Sequence, residues 1–341
     1  MRIVVVEHLA VARKLAPILR ARWPKEQIAV MPLDNGSLHH HAYPRGLAYQ
    51  QFPLILPADF KPAALNGWRA HFNRLYTICD DGTMFCEDQS FEQAGETMLS
   101  ADHIVYMGDW DYSGVWGMEL LKRSLMPSRE TVHEVFRLPP EHKLQEFEIT
   151  LPDPIDSNDL GYQALYQAAL VKRHFDYNFH FNGLVIFGKL YRTLSGGTGD
   201  DFVGRSGLLT ALRMEQIGEL PEDVAGYLEK WVGTGKYTGH ARQFFDGMGS
   251  HLARFNVKYD LMSLKIITKK DIAGGGYVLS PLGEAFVSKI HKDCYDQDLP
   301  SRLDAWMARP FDEVKPQIDQ YILTYFRKQK RLQDESGALP Q

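Results

Sequence analysis

The chain has little cysteine. Its three, Cys79, Cys86 and Cys294, lack metal-ligand spacing, so reduced thiols in a cytoplasmic setting are expected. Long apolar runs are missing too. None approaches the roughly 18 residues that would suggest a membrane span, and no membrane partner is expected. The opening Ile3-Val4-Val5-Val6 is too short, and too soon followed by Glu7-His8, to read as a signal peptide. There is no internal repeat and no long low-complexity tract. The formal net charge is -5, which argues against histone-like binding driven by bulk charge. It leaves room for nucleic acid at a local patch, because the electrostatic footprint is local. What is present is ordinary for a globular chain: 341 residues, 44% hydrophobic and 24% charged, enough for two domains with their own cores.

Ile3-Val4-Val5-Val6 is a short β-branched run of the kind found in buried parallel strands. Leu9, Ala12, Leu15, Ala16 and Leu19 follow at helical spacing, and Ile28-Ala29-Val30-Met31 reads as a second strand. Strand, helix, strand opens an α/β unit. Residues 32–67 are rich in Pro, Gly, His and aromatics and read as loop. A helix is expected over about Trp68–Leu75 and another before Ala101. Ile104-Val105-Tyr106-Met107 is a third strand, and helical spacing resumes over about Val115–Leu125. Five of the 18 prolines fall between Pro127 and Pro154, which reads as a connection. From Asn158 the pattern is mainly helical, with Asn158 or Asp159 as N-cap. Gly196-Gly197-Thr198-Gly199 breaks it, and Gly274-Gly275-Gly276 precedes the strand-like Tyr277-Val278-Leu279.

Glu7 follows the first strand, and Asp109 and Asp111 follow the third. Ligands of open α/β sheets gather where strand C-termini meet their loops. Three carboxylates at one such edge repel one another unless a cation lies between them. Mg²⁺ suits this set, since it prefers oxygen ligands and keeps waters for phosphate contact. Gly108 and Gly114 would allow a close backbone or phosphate approach. The competing reading is that Asp-x-Asp is a solvated turn or a cap.

These residues resemble a known family, the type IA DNA topoisomerases, especially the topoisomerase III branch. Val5-Val6-Glu7-His8-Leu9-Ala10-Val11-Ala12-Arg13 is similar to the opening strand and helix of the toprim domain. Ala101-Asp102-His103-Ile104-Val105-Tyr106-Met107-Gly108-Asp109-Trp110-Asp111 is similar to its second acidic motif. Phe52-Pro53-Leu54-Ile55-Leu56-Pro57-Ala58-Asp59-Phe60-Lys61 resembles a stretch between the two. Asn158 to Asn178 resembles the family helix that carries an arginine and an aspartate on the active-site side, with Lys172 and Asp176 in those places, one turn apart. Val203-Gly204-Arg205-Ser206-Gly207 resembles the Gly-Arg-Val-Gln-Ser segment, a helix start facing DNA. Tyr277 to Asp304 is similar to the closing segment.

The resemblance implies an α/β fold with a toprim-type, Rossmann-like parallel sheet over residues 1–126. A linker over 127–157 is expected next, then a mainly helical DNA-binding domain over 158–325 and a basic, flexible tail over 326–341. It implies Glu7, Asp109 and Asp111 as catalytic and Mg²⁺-binding residues. Lys172, Asp176 and Arg205 would meet nucleic acid, with DNA, single-stranded segments above all, as the partner.

The departures have consequences. After Asp111 the family places an arginine and a glutamate where Tyr112 and Ser113 stand, so a metal-side carboxylate is missing and weaker metal affinity follows. Val11 replaces a phosphate-facing lysine, and Gly36-Ser37 replaces a Gly-His pair. Only about 70 residues separate Arg205 from the closing segment, too few for the gate domains that supply the nucleophilic tyrosine. Strand passage by this polypeptide alone is therefore not expected. Three readings remain: a topoisomerase-like enzyme that nicks DNA with metal help, a catalytically lapsed nucleic-acid-binding protein, or an accessory subunit whose protein partner supplies gate or nucleophile.

Other features have plain readings beside sharp ones. Tyr191 and Tyr112 could be nucleophiles, but ordinary amphipathic tyrosines are commoner. His39-His40-His41 is either a metal tract or a polar loop. Gly196 to Gly199 lacks the Lys-Ser/Thr of a P-loop. Arg205 meets a phosphate or a surface carboxylate. The basic run Arg327 to Arg331 reads as a solvated helix end before a DNA clamp. Trp110 either stacks on a base or packs against the sheet.

Overall fold

The computed structural model describes residues 1–6, 9–32, 43–56, 74–88, 91–108, 114–119, 132–137, 155–156, 158–197, 203–233, 251–271 and 274–335. Two compact units emerge, Met1–Ala42 with Asp59–Leu170, and Tyr43–Ala58 with Val171–Gln341.

The first unit is an α/β layer structure. Its strands are β1 (Arg2–Val6), β2 (Ile28–Pro32), β3 (Arg74–Ile78), β4 (Met84–Asp88), β5 (His103–Gly108), β6 (Val132–Arg137) and β7 (Ile155–Asp156). They form one seven-stranded sheet in the order β4-β3-β2-β1-β5-β6-β7. β2, β1, β5 and β6 run parallel, while β3, β4 and β7 add antiparallel edges. The sheet is thus mixed, where the sequence suggested a parallel one. The reason is local. Asp81-Gly82 makes a tight turn that returns the chain at once, so β3 and β4 form a hairpin, with Gly82 N–H bonded to Cys79 O and Gly82 at φ +79°. Arg74 and Leu75, expected in a helix, begin that hairpin; Trp68 to Asn73 lie outside the described residues. The helix expected before Ala101 is present as α2 (Phe91–Ser100).

β1 and β2 are fully buried, as their unbroken apolar runs require of strands covered on both faces. Helix α1 (Leu9–Arg22) lays Val11, Ala12, Leu15, Ala16 and Leu19 against Val4, Val6, Val30 and Val105. Val11, Leu15 and Leu19 each contribute about 1.5–3 kcal/mol by leaving water, the two alanines less. Residues 127–157, expected as a connection, instead supply β6 and β7 to the sheet. β6 could not be read as a strand because His133 and Glu134 interrupt its apolar pattern; Glu134 pairs with Arg2, itself almost fully buried.

The second unit is mainly helical. It holds most of α3 (Leu160–Ser195), then α4 (Arg205–Ile217), α5 (Val224–Gly233), α6 (His251–Ser263), the hairpin β8 (Ile267–Lys269) and β9 (Tyr277–Leu279), α7 (Pro281–Val287), α8 (Leu299–Met307) and α9 (Phe311–Glu335). The compact-unit boundary after Leu170 falls within α3, not near residue 126 or 157. Phe175, Phe179 and Phe187 of α3 interleave with Tyr321, Tyr325 and Phe326 of α9 at centroid distances of 5.0–6.2 Å. The expectation of a separate basic tail from 326 is corrected here. α9 continues to Glu335 because Phe326, Gln329 and Gln333 stay buried at helical spacing. Residues 336–341 lie outside the described residues.

Gly276 sits where β9 meets Leu220, whose N–H and C=O both bond to Tyr277, at 2.9 and 2.8 Å. A Cβ there would overlap the Leu220 carbonyl oxygen. Gly276→Ala should therefore destabilise the chain by about 1–3 kcal/mol. Urea unfolding followed by circular dichroism reads this; a midpoint equal to wild type would contradict the close approach.

Candidate functional site

β1 and β5 are parallel neighbours, with Val6 paired to Met107. Glu7, Asp109 and Asp111, expected to hold Mg²⁺ there, lie outside the described residues, as do Tyr112, Trp110 and His39 to His41. Among the described residues no group of three or more His, Cys, Asp or Glu side chains could hold a metal.

The other expected site residues, Lys172, Asp176 and Arg205, do come together. Lys172 and Asp176 are one turn apart on α3, and the Lys172 ammonium pairs with Asp176 Oδ2. Arg205, the first residue of α4, reaches Asp176 Oδ1 at 3.4 Å. One carboxylate is thus shared by two cations. Arg205 is held further by Phe175, whose ring centre lies 5.7 Å from the guanidinium carbon.

Burial decides the electrostatics. Lys172 is only 5% exposed. Burial, aided by the nearby Arg205 and Arg173 guanidinium groups, lowers its pKa to about 8 despite Asp176. Burial alone would raise Asp176, but the Lys172 ammonium and the Arg205 guanidinium outweigh it and hold the carboxyl below its usual range.

Asp176 and Arg205 border a cavity of about 600 Å³, with His180 of α3 and Val257, Asp260 and Leu261 of α6 on its walls. α4 points its N-terminus at this space. Its first internal bond is Leu208 N–H to Gly204 O at 2.7 Å, and Gly204 has no side chain to cap the end. The positive end of a helix favours an anion. Gly207 has a steric role as well: a Cβ there would lie 3.3 Å from both Leu261 and Val203, so glycine lets α6 approach.

The wall contributed by α6 was not foreseen. Its residues carry no motif, and the intervening stretch 234–250 lies outside the described residues. The docking of residues 43–56 in this unit was not foreseen either. Asn182 bonds both the N–H (2.9 Å) and the C=O (2.8 Å) of Leu54, and Asn178 Oδ1 accepts from Leu56 N–H at 2.7 Å. Two asparagines four apart, among the aromatics Phe175, Phe179 and Phe181, were the available signal. Tyr191 is a packing residue: its hydroxyl donates to Leu264 O at 2.9 Å, and its ring meets Phe286 edge-on. Gly196 ends α3 at φ +69°.

Comparison of the chain with protein-family models, with curated proteins and with solved structures found no match. Among the described residues no helix is long and apolar enough to cross a membrane.

The lowered Lys172 pKa makes stability depend on pH in a defined direction. Between about 8 and the ordinary 10.5 the unfolded chain binds more protons at this lysine than the folded one. Stability from this group therefore rises as pH increases across that window, by at most about 3 kcal/mol. Denaturant midpoints from pH 7.5 to 10.5 should show that rise in wild type and lose it in Lys172→Met. Identical slopes in the two proteins would refute the assignment.

Proposed function

We propose that this chain is a type IA topoisomerase-like DNA-processing protein that grips a phosphate backbone in the second unit. The observation that carries the reading is the pairing of Asp176 with Arg205 at a cavity faced by the α4 N-terminus, with the buried Lys172 behind Asp176. A phosphate entering there meets a guanidinium able to bond two oxygens at once, backbone dipoles of the right sign and a nearby ammonium. Asp176 acts on the cations, fixing where Arg205 and Lys172 sit, and contributes no attraction of its own to an anion. Such contacts set position along a strand without reading bases.

The proposal includes Mg²⁺ on Glu7, Asp109 and Asp111. A hard, all-oxygen donor set suits that ion. The pairing of β1 with β5 supports it, because the two strands that precede these residues are adjacent. Bound Mg²⁺ would supply charge stabilisation at a phosphate. Strand passage is outside the proposal, since the roughly 70 residues between Arg205 and Tyr277 leave no room for gate domains at that point. The engagement of Tyr191 with Leu264 O favours a second reading, in which a partner chain supplies the nucleophile or the protein only binds single strands.

Two measurements test this. Fluorescence anisotropy with a labelled single-stranded oligonucleotide should show salt-sensitive binding. Arg205→Gln with Lys172→Gln should weaken it by about tenfold or more and flatten the salt dependence. Equal affinity in a variant that melts like wild type would end the phosphate-grip reading. Mg²⁺-dependent nicking of supercoiled plasmid should vanish in Asp109→Ala with Asp111→Ala. Persistent nicking would remove the metal assignment, and absence of nicking in wild type would leave the binding-only reading.

A further inference from the structure

The last two turns of α9 carry their charges in the order that a helix disfavours. Lys330 and Arg331 precede Asp334 and Glu335, which occupy the C-terminal turn. Carboxylates there oppose the helix dipole, and a cation placed before its acid at i,i+4 is the weaker orientation. The pairs Lys330–Asp334 (2.7 Å) and Arg331–Glu335 (2.6 Å) form nonetheless. Arg331–Glu335 is an exposed pair and contributes a few tenths of a kcal/mol at best, while Lys330 is half-buried. Helix stability therefore does not account for these four residues.

They border a groove of about 510 Å³ whose floor is Phe52 and Pro53. Arg327, one turn earlier on the same face, joins the rim. It is exposed, and among the described residues no acid pairs with it. Beside the groove, Tyr49 is clasped by two ammonium groups, Lys189 at 4.0 Å and Lys330 at 4.8 Å from its ring centre. Its hydroxyl donates to Gln333 Oε1 at 3.2 Å, and Gln333 in turn donates to Ile186 O at 3.3 Å. That chain of contacts ties the floor segment to α3 and α9. The groove is a built feature with a cationic side and an acidic end.

We propose that this groove docks a short peptide segment of a separate protein, one that bears an acidic, an apolar and a basic residue. The acid faces Arg327 and Arg331, the apolar side chain lies on Phe52 and Pro53, and the base faces Asp334 and Glu335. Charge complementarity selects this occupant. A nucleic-acid strand is negative throughout and would be repelled at the Asp334–Glu335 end. The weak intrahelical pairs are readily exchanged for pairs to the partner. The site is independent of the Arg205 cavity and does not rest on the nucleic-acid reading.

The test is an array of nine-residue acetylated peptides probed with the full chain, the leading cores then measured by anisotropy in solution. Peptides with Glu-Leu-Lys cores should bind about tenfold more tightly than all-acidic or uncharged versions. Arg327→Glu with Arg331→Glu, both exposed, should abolish that preference and improve binding of Lys-Leu-Lys cores, in protein whose thermal melt and circular dichroism match wild type. The proposal is overturned if no charged core exceeds the uncharged control, or if the double variant retains the wild-type preference. It is also overturned if the double variant loses affinity for a thirty-residue oligothymidylate but not for peptides, which would make the groove a nucleic-acid surface.

Discussion

Burying Lys172, His174, Asn178 and Asn182 on a single helix costs free energy unless each polar group finds a partner, and the second unit is arranged so that each does. Asn178 and Asn182 capture the backbone of residues 54–56. His174, with no exposed surface, meets Asp319 of α9 at 2.6 Å, and Lys315 holds the other oxygen of that carboxylate. Removing one partner from such a network leaves an unsatisfied group in a low dielectric, which is why these contacts fix α3, α9 and the 43–56 segment more sharply than apolar packing could.

The same helix serves the site. Residues 174, 178 and 182 fall on one face and look to structure, while 172 and 176 fall toward the opposite side, where Asp176 pairs with both Lys172 and Arg205. α3 thus couples the packing of its own unit to the position of two charged groups. The aromatic interleaving with α9 keeps the helix from rolling, and Phe175 takes part in both, packing near Trp306 and Tyr321 while lying under Arg205. A shift of α3 would move the ammonium, the carboxylate and the guanidinium support together.

Asp176 answers two cations, Lys172 and Arg205, and Asp260 adds a second carboxylate to the cavity wall, so this cluster is balanced within a chain whose total is negative. Local arrangement, and not composition, sets what the cavity can attract. The lysine in this cluster differs from an arginine in one respect that matters physically. It can lose its proton within the range burial allows, and a guanidinium cannot.

The sequence by itself determined what depends on short-range pattern. The apolar runs of β1, β2 and β5, the helical spacing of α1, the helical character of α3 and the one-turn spacing of Lys172 and Asp176 were all legible, because side-chain periodicity and backbone geometry are local. Tertiary structure alone decided the rest. The β3–β4 hairpin lay in a stretch expected to begin as helix, although its Asp81-Gly82 turn was in plain view. β6 and β7 became strands only by pairing with distant partners, since an alternating charged segment gains its place in a sheet from neighbours. Residues 43–56 joined α3 through asparagine side chains, which no periodicity announces. Arg205 met Asp176 across about thirty intervening residues, and the α6 wall of the cavity was assembled from residues with no motif at all. Long-range contacts depend on which surfaces bury one another, and that is a property of the folded whole.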